Sequence, residues 1–134
     1  MRKIEFRGKS IHTDKWHYGD LVHTNDGTAF IQERGTAGIL CCQDTIGQFT
    51  GLFDKDGKKI YEGDILVWGE NGCKSLPLIV IFKFGSFGYI YIEDWFHSFA
   101  GNVNFTFNPL NTDVRFEIIG NIHDNPELQE GGAL

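Results

Sequence analysis

Residues 47–67 read GQFTGLFDKDGKKIYEGDILV, and this stretch decides the fold. Two strand-like runs, 45–53 and 58–68, flank the turn residues Asp54 to Gly57. Aspartate tolerates left-handed dihedral angles and glycine adopts a positive φ without strain, so these four residues predict a tight hairpin. Gly63 interrupts the second run, where we predict a bulge or bend rather than the end of the strand.

Alternating apolar residues and turn signals elsewhere predict further short strands. The segment 14–24 alternates well enough to be half-buried, and 29–32 is its expected hairpin partner across the turn at 25–27. The other expected elements are a first strand at 4–6, an ambiguous segment at 35–43, last strands around Phe105, Phe107 and 114–122, and a helical turn after Asn125.

Residues 78–82 read LIVIF, which is apolar on both sides of a pleated strand. A strand with one face in water alternates apolar and polar residues, so both faces of this run are expected to be covered. The cover is either another layer of the same chain or a neighbouring subunit. In a chain of 134 residues the subunit explanation gains weight, so we predict a homo-oligomer. A turn is expected at Gly85 to Gly88, after this run.

The charge and cysteine content limits the classes of partner. The formal net charge is -6 and the 12 Lys and Arg residues are scattered, which makes nucleic acid an unlikely partner because phosphate contacts need aligned cations. Cys41 and Cys42 are adjacent, a spacing that rarely gives an unstrained disulfide, so a reduced, cytoplasmic setting is expected. No segment reaches the roughly 18 apolar residues of a membrane span.

Three motifs occur in order along the chain: RKIEFRGKS at 2–10, the central stretch at 47–67 and FEIIGNIHDNPEL at 116–128. Together they resemble the YopX family of small phage- and prophage-encoded proteins. The resemblance spans most of the chain and is weakest between about 75 and 111. It implies a phage or prophage origin, action inside the bacterial host, and assembly into a homo-oligomer such as a hexamer. The resemblance implies no particular biochemical activity.

We therefore predict a mainly β protein in which residues 1–130 form a single YopX-like domain. By analogy, the part at about 58–122 resembles a small SH3-like barrel preceded by an N-terminal β extension. A short C-terminal helical turn is expected, and residues 131–134 are expected to be a disordered tail.

The candidate site residues fall in two groups. Tyr61, Glu62, Gly63 and Asp64 match a motif of the family, and Glu62 and Asp64 would share one face of an undistorted strand. Paired carboxylates carry acid–base chemistry when they are partly buried, but charge pairs on β edges are also a common structural device. The second group is Trp95, Phe96 and His97, an aromatic platform for bases or else a core or interface segment.

Three catalytic or metal-binding interpretations are weaker than their structural alternatives. Asp54 to Gly57 lacks the third acid and the final Glu of a calcium loop, so a plain hairpin turn is favoured. His17 and His23 lie six residues apart and could share a zinc ion only across a turn. No family-specific signature of a catalytic cysteine surrounds Cys41 and Cys42. We predict no catalytic residues, no metal and no cofactor.

The resulting functional expectation is a non-enzymatic protein-interaction or assembly module. Its partners would be copies of itself and an unidentified host or phage protein, with no membrane partner. A small-barrel nucleic-acid-binding protein is the alternative, and a hydrolase comes third. An enzyme would need a concave pocket with convergent polar groups.

Overall fold

The computed structural model describes residues 2–70, 72–94, 107–111 and 115–129. The described secondary structure is mainly β, which confirms the predicted fold class. The chain divides into two compact units, Met1–Gly51 and Leu52–Leu134, and each is described by itself. The assignment of residues 1–130 to a single domain stays a prediction.

The first unit is an antiparallel sheet. Its strands are β1 (Phe6–Lys9), β2 (Trp16–His23), β3 (Ala29–Gln32), β4 (Ile39–Cys41) and the start of β5 (Gly47–Phe53), with a 3-10 turn at Gln43–Thr45. The strand order is β4-β3-β2-β1-β5. The hairpin of β2 and β3 is confirmed, the ambiguous segment contains β4, and the first strand begins at Phe6 rather than at Ile4.

The second unit holds the remaining strands. They are β6 (Lys59–Tyr61), β7 (Asp64–Glu70), β8 (Cys73–Lys74), β9 (Leu78–Lys83), β10 (Ser86–Tyr91), β11 (Asn108–Pro109) and β12 (Phe116–Asn121). The main sheet has the order β11-β10-β9-β7-β12, and β8 pairs with β7. This strand set fits a small β-barrel domain. The predicted C-terminal helical turn is a 3-10 turn at Pro126–Gln129.

The core of the second unit is formed by apolar side chains from four of its strands. Its fully buried members are Ile60, Leu66, Leu78, Val80 and Phe116, each at most 2% exposed. They come from β6, β7, β9 and β12, so the packing ties the central stretch of sequence to the closing strand. Burying a side chain of this size contributes about 1.5–3 kcal/mol.

Two predicted turns differ from the observed ones. Gly63 does end a strand, because the chain turns there between β6 and β7 instead of continuing through a bulge. The turn after β9 lies at Phe84 and Gly85, not at Gly85 to Gly88, because Ser86 already pairs with Lys83. The positive φ expected of Gly57 is confirmed at 83°, and Gly63 also has a positive φ, of 89°.

Some predictions fall on residues outside the described ranges. They are the aromatic group Trp95, Phe96 and His97, the strand residue Phe105, and the tail at 131–134. In the described part of the chain, no helix has the length and apolar character needed to cross a membrane.

Candidate functional site

The motif Tyr61 to Asp64 forms the turn between β6 and β7. The Asp64 side chain is 2% exposed, and its Oδ2 accepts a hydrogen bond from the Tyr61 N–H at 2.8 Å. Gly63 occupies the third turn position, where a type II turn requires a positive φ. The carboxylate of Asp64 therefore closes its own turn, as a structural aspartate does.

The backbone N–H and carbonyl of Gly63 both form hydrogen bonds to neighbouring parts of the sheet. Its N–H donates to the Val80 carbonyl at 2.9 Å, and its carbonyl accepts from the Ile122 N–H at 3.0 Å. The turn thus joins β9 to the residue that follows β12. Glu62 does not share the burial of Asp64, since it is only half-buried.

The turn at Asp54 to Gly57 is also held by an internal carboxylate. Asp54 is 6% exposed, and its Oδ1 accepts from the N–H groups of Asp56 and Lys58, both at 2.9 Å. Its Oδ2 accepts from the Ile118 N–H at 3.2 Å. Because backbone donors occupy both oxygens, the structure favours the plain hairpin over a calcium loop. No group of three or more His, Cys, Asp or Glu side chains able to hold a metal occurs among the described residues.

The closing motif forms a turn stabilised by asparagine side chains. The Asn121 Oδ1 accepts from the N–H groups of His123 and Asp124 at 2.9 and 2.8 Å. Asn125 Oδ1 accepts from the Asn121 N–H at 3.1 Å. A side chain at Gly120 would overlap this amide. These closing residues, like those of the two central turns, are therefore occupied in making turns.

The hairpin of β9 and β10 offers a different kind of surface. Leu78, Ile79 and Val80 are at most 1% exposed, whereas Phe82 is 54% and Phe84 is 78% exposed. The chain itself thus covers the first half of the two-sided apolar run and leaves the far half open. Large exposed aromatic residues that lie together are typical of interaction sites.

Phe84 occupies a backbone conformation that bulky residues avoid. Its φ is 55° and that of Gly85 is 78°, so both central residues of the two-residue turn have positive φ. This is the type I′ pattern, in which Asn, Asp or Gly is favoured at the first position. A phenylalanine there costs about 1–2 kcal/mol, which makes its exposed ring a residue worth explaining by function.

Four phenylalanine rings form two packed pairs at this end of the hairpin. The ring centroids of Phe82 and Phe87 are 5.0 Å apart and those of Phe84 and Phe107 are 5.6 Å apart, both edge to face. The ring of Phe107 occupies the space where a side chain at Gly88 would lie. We call these four residues the aromatic tip. The aromatic tip thus consists of two ring pairs packed edge to face.

The comparisons with known proteins agree with this structure. The family model described as YopX protein matches residues 5–130. The chain belongs to the YopX family. Protein EF1440 from Enterococcus faecalis has a crystal structure that matches with a TM-score of 0.57 and 24% identity, over 97% of this chain and 100% of that one. At that identity the likeness concerns the fold. None of the curated proteins is similar enough to match.

Sequence reasoning placed the aromatic surface of this YopX chain at Trp95, Phe96 and His97, which lie outside the described residues. It missed the aromatic tip, because Phe84 is not a turn-forming residue and gives no turn signal. The available signal was the spacing of Phe82, Phe84 and Phe87 around Gly85. Two residues between paired strands are the commonest hairpin loop.

A cluster of cations lies on another part of the second unit. The Nζ atoms of Lys74 and Lys55 lie 2.6 and 3.3 Å from Glu117 Oε1, and Arg115 lines the same shallow depression beside Trp68. The hydrogen bonds from Lys74 and Lys55 lower the pKa of Glu117. Three cations and one carboxylate leave a local excess of positive charge in a chain of net charge -6.

The first unit carries an open groove of about 500 Å³ with charges of both signs. Two of its acids are paired: Glu5 lies 3.3 Å from Lys3, and Glu33 lies 2.8 Å from His17 Nδ1. Because β2 runs without a turn from His17 to His23, about 20 Å separates these two histidines. They therefore do not share a metal ion.

The buried cysteine lacks the properties of a nucleophile. Cys41 is 3% exposed, and burial raises the pKa of its thiol. A catalytic cysteine needs the opposite shift, because the thiolate is the reactive form. Cys41 is thus a core residue of the first unit, and the adjacent Cys42 is exposed and free.

Proposed function

We propose that this YopX-family chain is a non-enzymatic interaction module that assembles with itself in the cytoplasm of a bacterium carrying the phage or prophage. The observation that carries the proposal is the aromatic tip, above all Phe84, which is 78% exposed in a strained conformation. Selection for stability alone would favour Asn or Gly at this position. Burial of the ring against another subunit supplies a reason for phenylalanine.

The mass of the particle in solution tests this function. Light scattering coupled to size-exclusion chromatography at tens of micromolar should give a multiple of the 15.2 kDa chain mass, with six copies as the assembly that the family suggests. The double variant Phe82→Thr, Phe84→Asn should lower that mass, because each new residue suits its local backbone but removes an exposed ring.

Leu76→Ser is the matched control. Leu76 is 64% exposed and precedes β9 at the end opposite the aromatic tip, so its loss removes apolar surface without touching the tip. The control should keep the wild-type mass. A wild-type chain that elutes at the mass of one copy contradicts the proposal.

A second candidate function, nucleic-acid binding on a small barrel, is favoured by the cluster of Lys55, Lys74 and Arg115. Exposed Trp68 lines the same depression, and stacking beside cations is how single strands are held. A fluorescence-anisotropy titration with labelled single strands at two salt concentrations tests it. Submicromolar, salt-sensitive binding that Arg115→Gln and Lys74→Gln weaken would establish this candidate, whereas the net charge of -6 predicts no such binding.

A further inference from the structure

At Phe82, the backbone N–H and carbonyl of β9 point outward, away from the hairpin partner β10. The Val80 carbonyl faces the β7 side, since it accepts the Gly63 N–H at 2.9 Å. Along an antiparallel strand, the N–H and carbonyl groups of successive residues point alternately to the two neighbouring strands. The backbone groups of Phe82, two residues after Val80, therefore point to the same side as those of Val80. Its partner Phe87 agrees, because its carbonyl points away from β9 to the Leu110 N–H at 3.3 Å.

The neighbouring strand β7 does not reach this part of the edge. It pairs with β9 only at Ile79 and Leu78, and the turn at Gly63 then covers Val80. In the ranges that the structure describes, the outward N–H and carbonyl of Phe82 have no hydrogen-bond partner. An exposed strand edge of this kind is a template for pairing with another chain.

We propose that residues 81–83 pair with the same three residues of a second copy, antiparallel across a two-fold axis at Phe82. This inference rests on the proposed function and specifies the contact through which two copies meet. The two Phe82 residues would exchange both of their backbone hydrogen bonds. The exposed rings of Phe82 and Phe84 would be covered at the same contact.

The lengths of the elements favour a second copy over an unrelated extended segment. An added antiparallel strand can run past Phe82 and Ile81, but at Val80 it meets the turn at Gly63. The β9 strand of a second copy ends at Lys83, opposite Ile81, and its chain turns away at Phe84. The strand of the second copy therefore ends where the space ends.

Of the registers that the turn at Gly63 leaves open, the charges favour this one. With the axis at Phe82, Lys83 lies opposite Ile81, and no like charges face each other. A shift by two residues places Lys83 directly opposite Lys83 of the second copy, which is unfavourable. In the proposed register Lys83 of the second copy lies beside Ile81, next to the position where the Gly63 N–H bonds to the Val80 carbonyl.

Disulfide cross-linking tests the register. Ile81 and Lys83 of two copies would form a pair without mutual hydrogen bonds, whose Cα atoms lie about 4.5 Å apart, within disulfide range. In a Cys42→Ser, Cys73→Ser background, an equal mixture of the Ile81→Cys and Lys83→Cys chains should form a cross-linked dimer under mild oxidation. Either chain alone should form at least five-fold less.

Backbone pairing is tested separately with Phe82→Pro and Phe82→Ala. Both remove the ring, but only proline removes the N–H, and proline is tolerated where that N–H points out of the sheet. The dissociation constant of the Phe82→Pro assembly should be at least ten-fold higher than that of the Phe82→Ala assembly. Equal dissociation constants, or equal cross-linking in the mixture and in the single chains, overturn the inference.

The two proposals fail in different ways. If the wild-type protein assembles but the mixture of Ile81→Cys and Lys83→Cys chains does not cross-link, the proposed function stands and pairing through β9 is rejected. A wild-type chain with the mass of one copy rejects both.

Discussion

The Asp54 carboxylate accepts a hydrogen bond at 3.2 Å from the N–H of Ile118, which lies 64 positions later in the chain. Beside it, the Lys55 N–H donates to the Phe116 carbonyl at 2.7 Å. The turn after β5 is thereby fixed to the outer edge of β12. One buried carboxylate thus closes a local turn and satisfies a strand edge that would otherwise be open.

Asp54→Ala should destabilise the protein by about 3 kcal/mol, because three backbone N–H groups lose a charged acceptor and one of them belongs to a strand edge. The free energy of unfolding from urea titration measures the loss. Asp56→Ala is the control in the same turn, since Asp56 is exposed, and it should change stability by less than about 0.5 kcal/mol. Equal losses in the two variants would remove the special role of Asp54.

Gly57→Val should cost about 1 kcal/mol or more through the backbone alone. Gly57 has a φ of 83°, and nothing lies within 4 Å of an added Cβ, so the substitution creates no steric overlap. Gly57→Asn should lose less than half as much, because asparagine tolerates left-handed dihedral angles. Chemical denaturation of both variants checks the comparison. A loss of the same size for Asn and Val would mean that backbone strain is not the cause.

The elements that the sequence predicts well are those whose cause is local. The hairpin of β2 and β3 follows from alternating residues around Asn25 to Gly27, and the hairpin after β5 follows from Asp54 to Gly57. Turn chemistry and side-chain alternation act over a few residues, so they are readable without knowing the rest of the fold.

The features that the sequence did not predict depend on contacts between distant residues. Gly63 lies in a turn where its N–H and carbonyl bond to Val80 and Ile122, and neither residue is close to it in sequence. The run at 78–82 is uniform in hydrophobicity, yet Val80 is buried and Phe82 is exposed, because the turn at Gly63 covers only the first part of β9. Composition alone does not separate these two halves.

The pKa of Asp26 offers a test of the turn between β2 and β3. The Thr24 hydroxyl donates to Asp26 Oδ1, and together with bonds from Thr28 it lowers the pKa of Asp26 from 3.8 to about 2. A carboxyl whose pKa is lower in the folded state contributes stability above its unfolded pKa. That contribution should disappear as the pH falls from 3.8 through about 2.

Carbon-detected NMR titration of the Asp26 carboxyl measures this pKa. Thr24→Val should raise it toward 3.8, whereas Thr24→Ser, which keeps the hydroxyl, should leave it near 2. A wild-type value near 3.8 would show that the turn does not hold this hydrogen bond in solution.

Phe84 allows backbone strain to be separated from assembly. Phe84→Asn and Phe84→Ala both remove the ring and its contact with Phe107, so both should weaken assembly equally. Only asparagine is suited to the φ of 55° at this position. In a Phe82→Pro background, which blocks pairing through β9, the asparagine chain should be more stable than the alanine chain by about 0.5–1 kcal/mol. Urea denaturation gives the difference, and the Phe82→Pro chain with Phe84 retained is the reference. If alanine equals asparagine in stability, the turn carries no strain, and phenylalanine at this position needs no contact with a second copy to explain it.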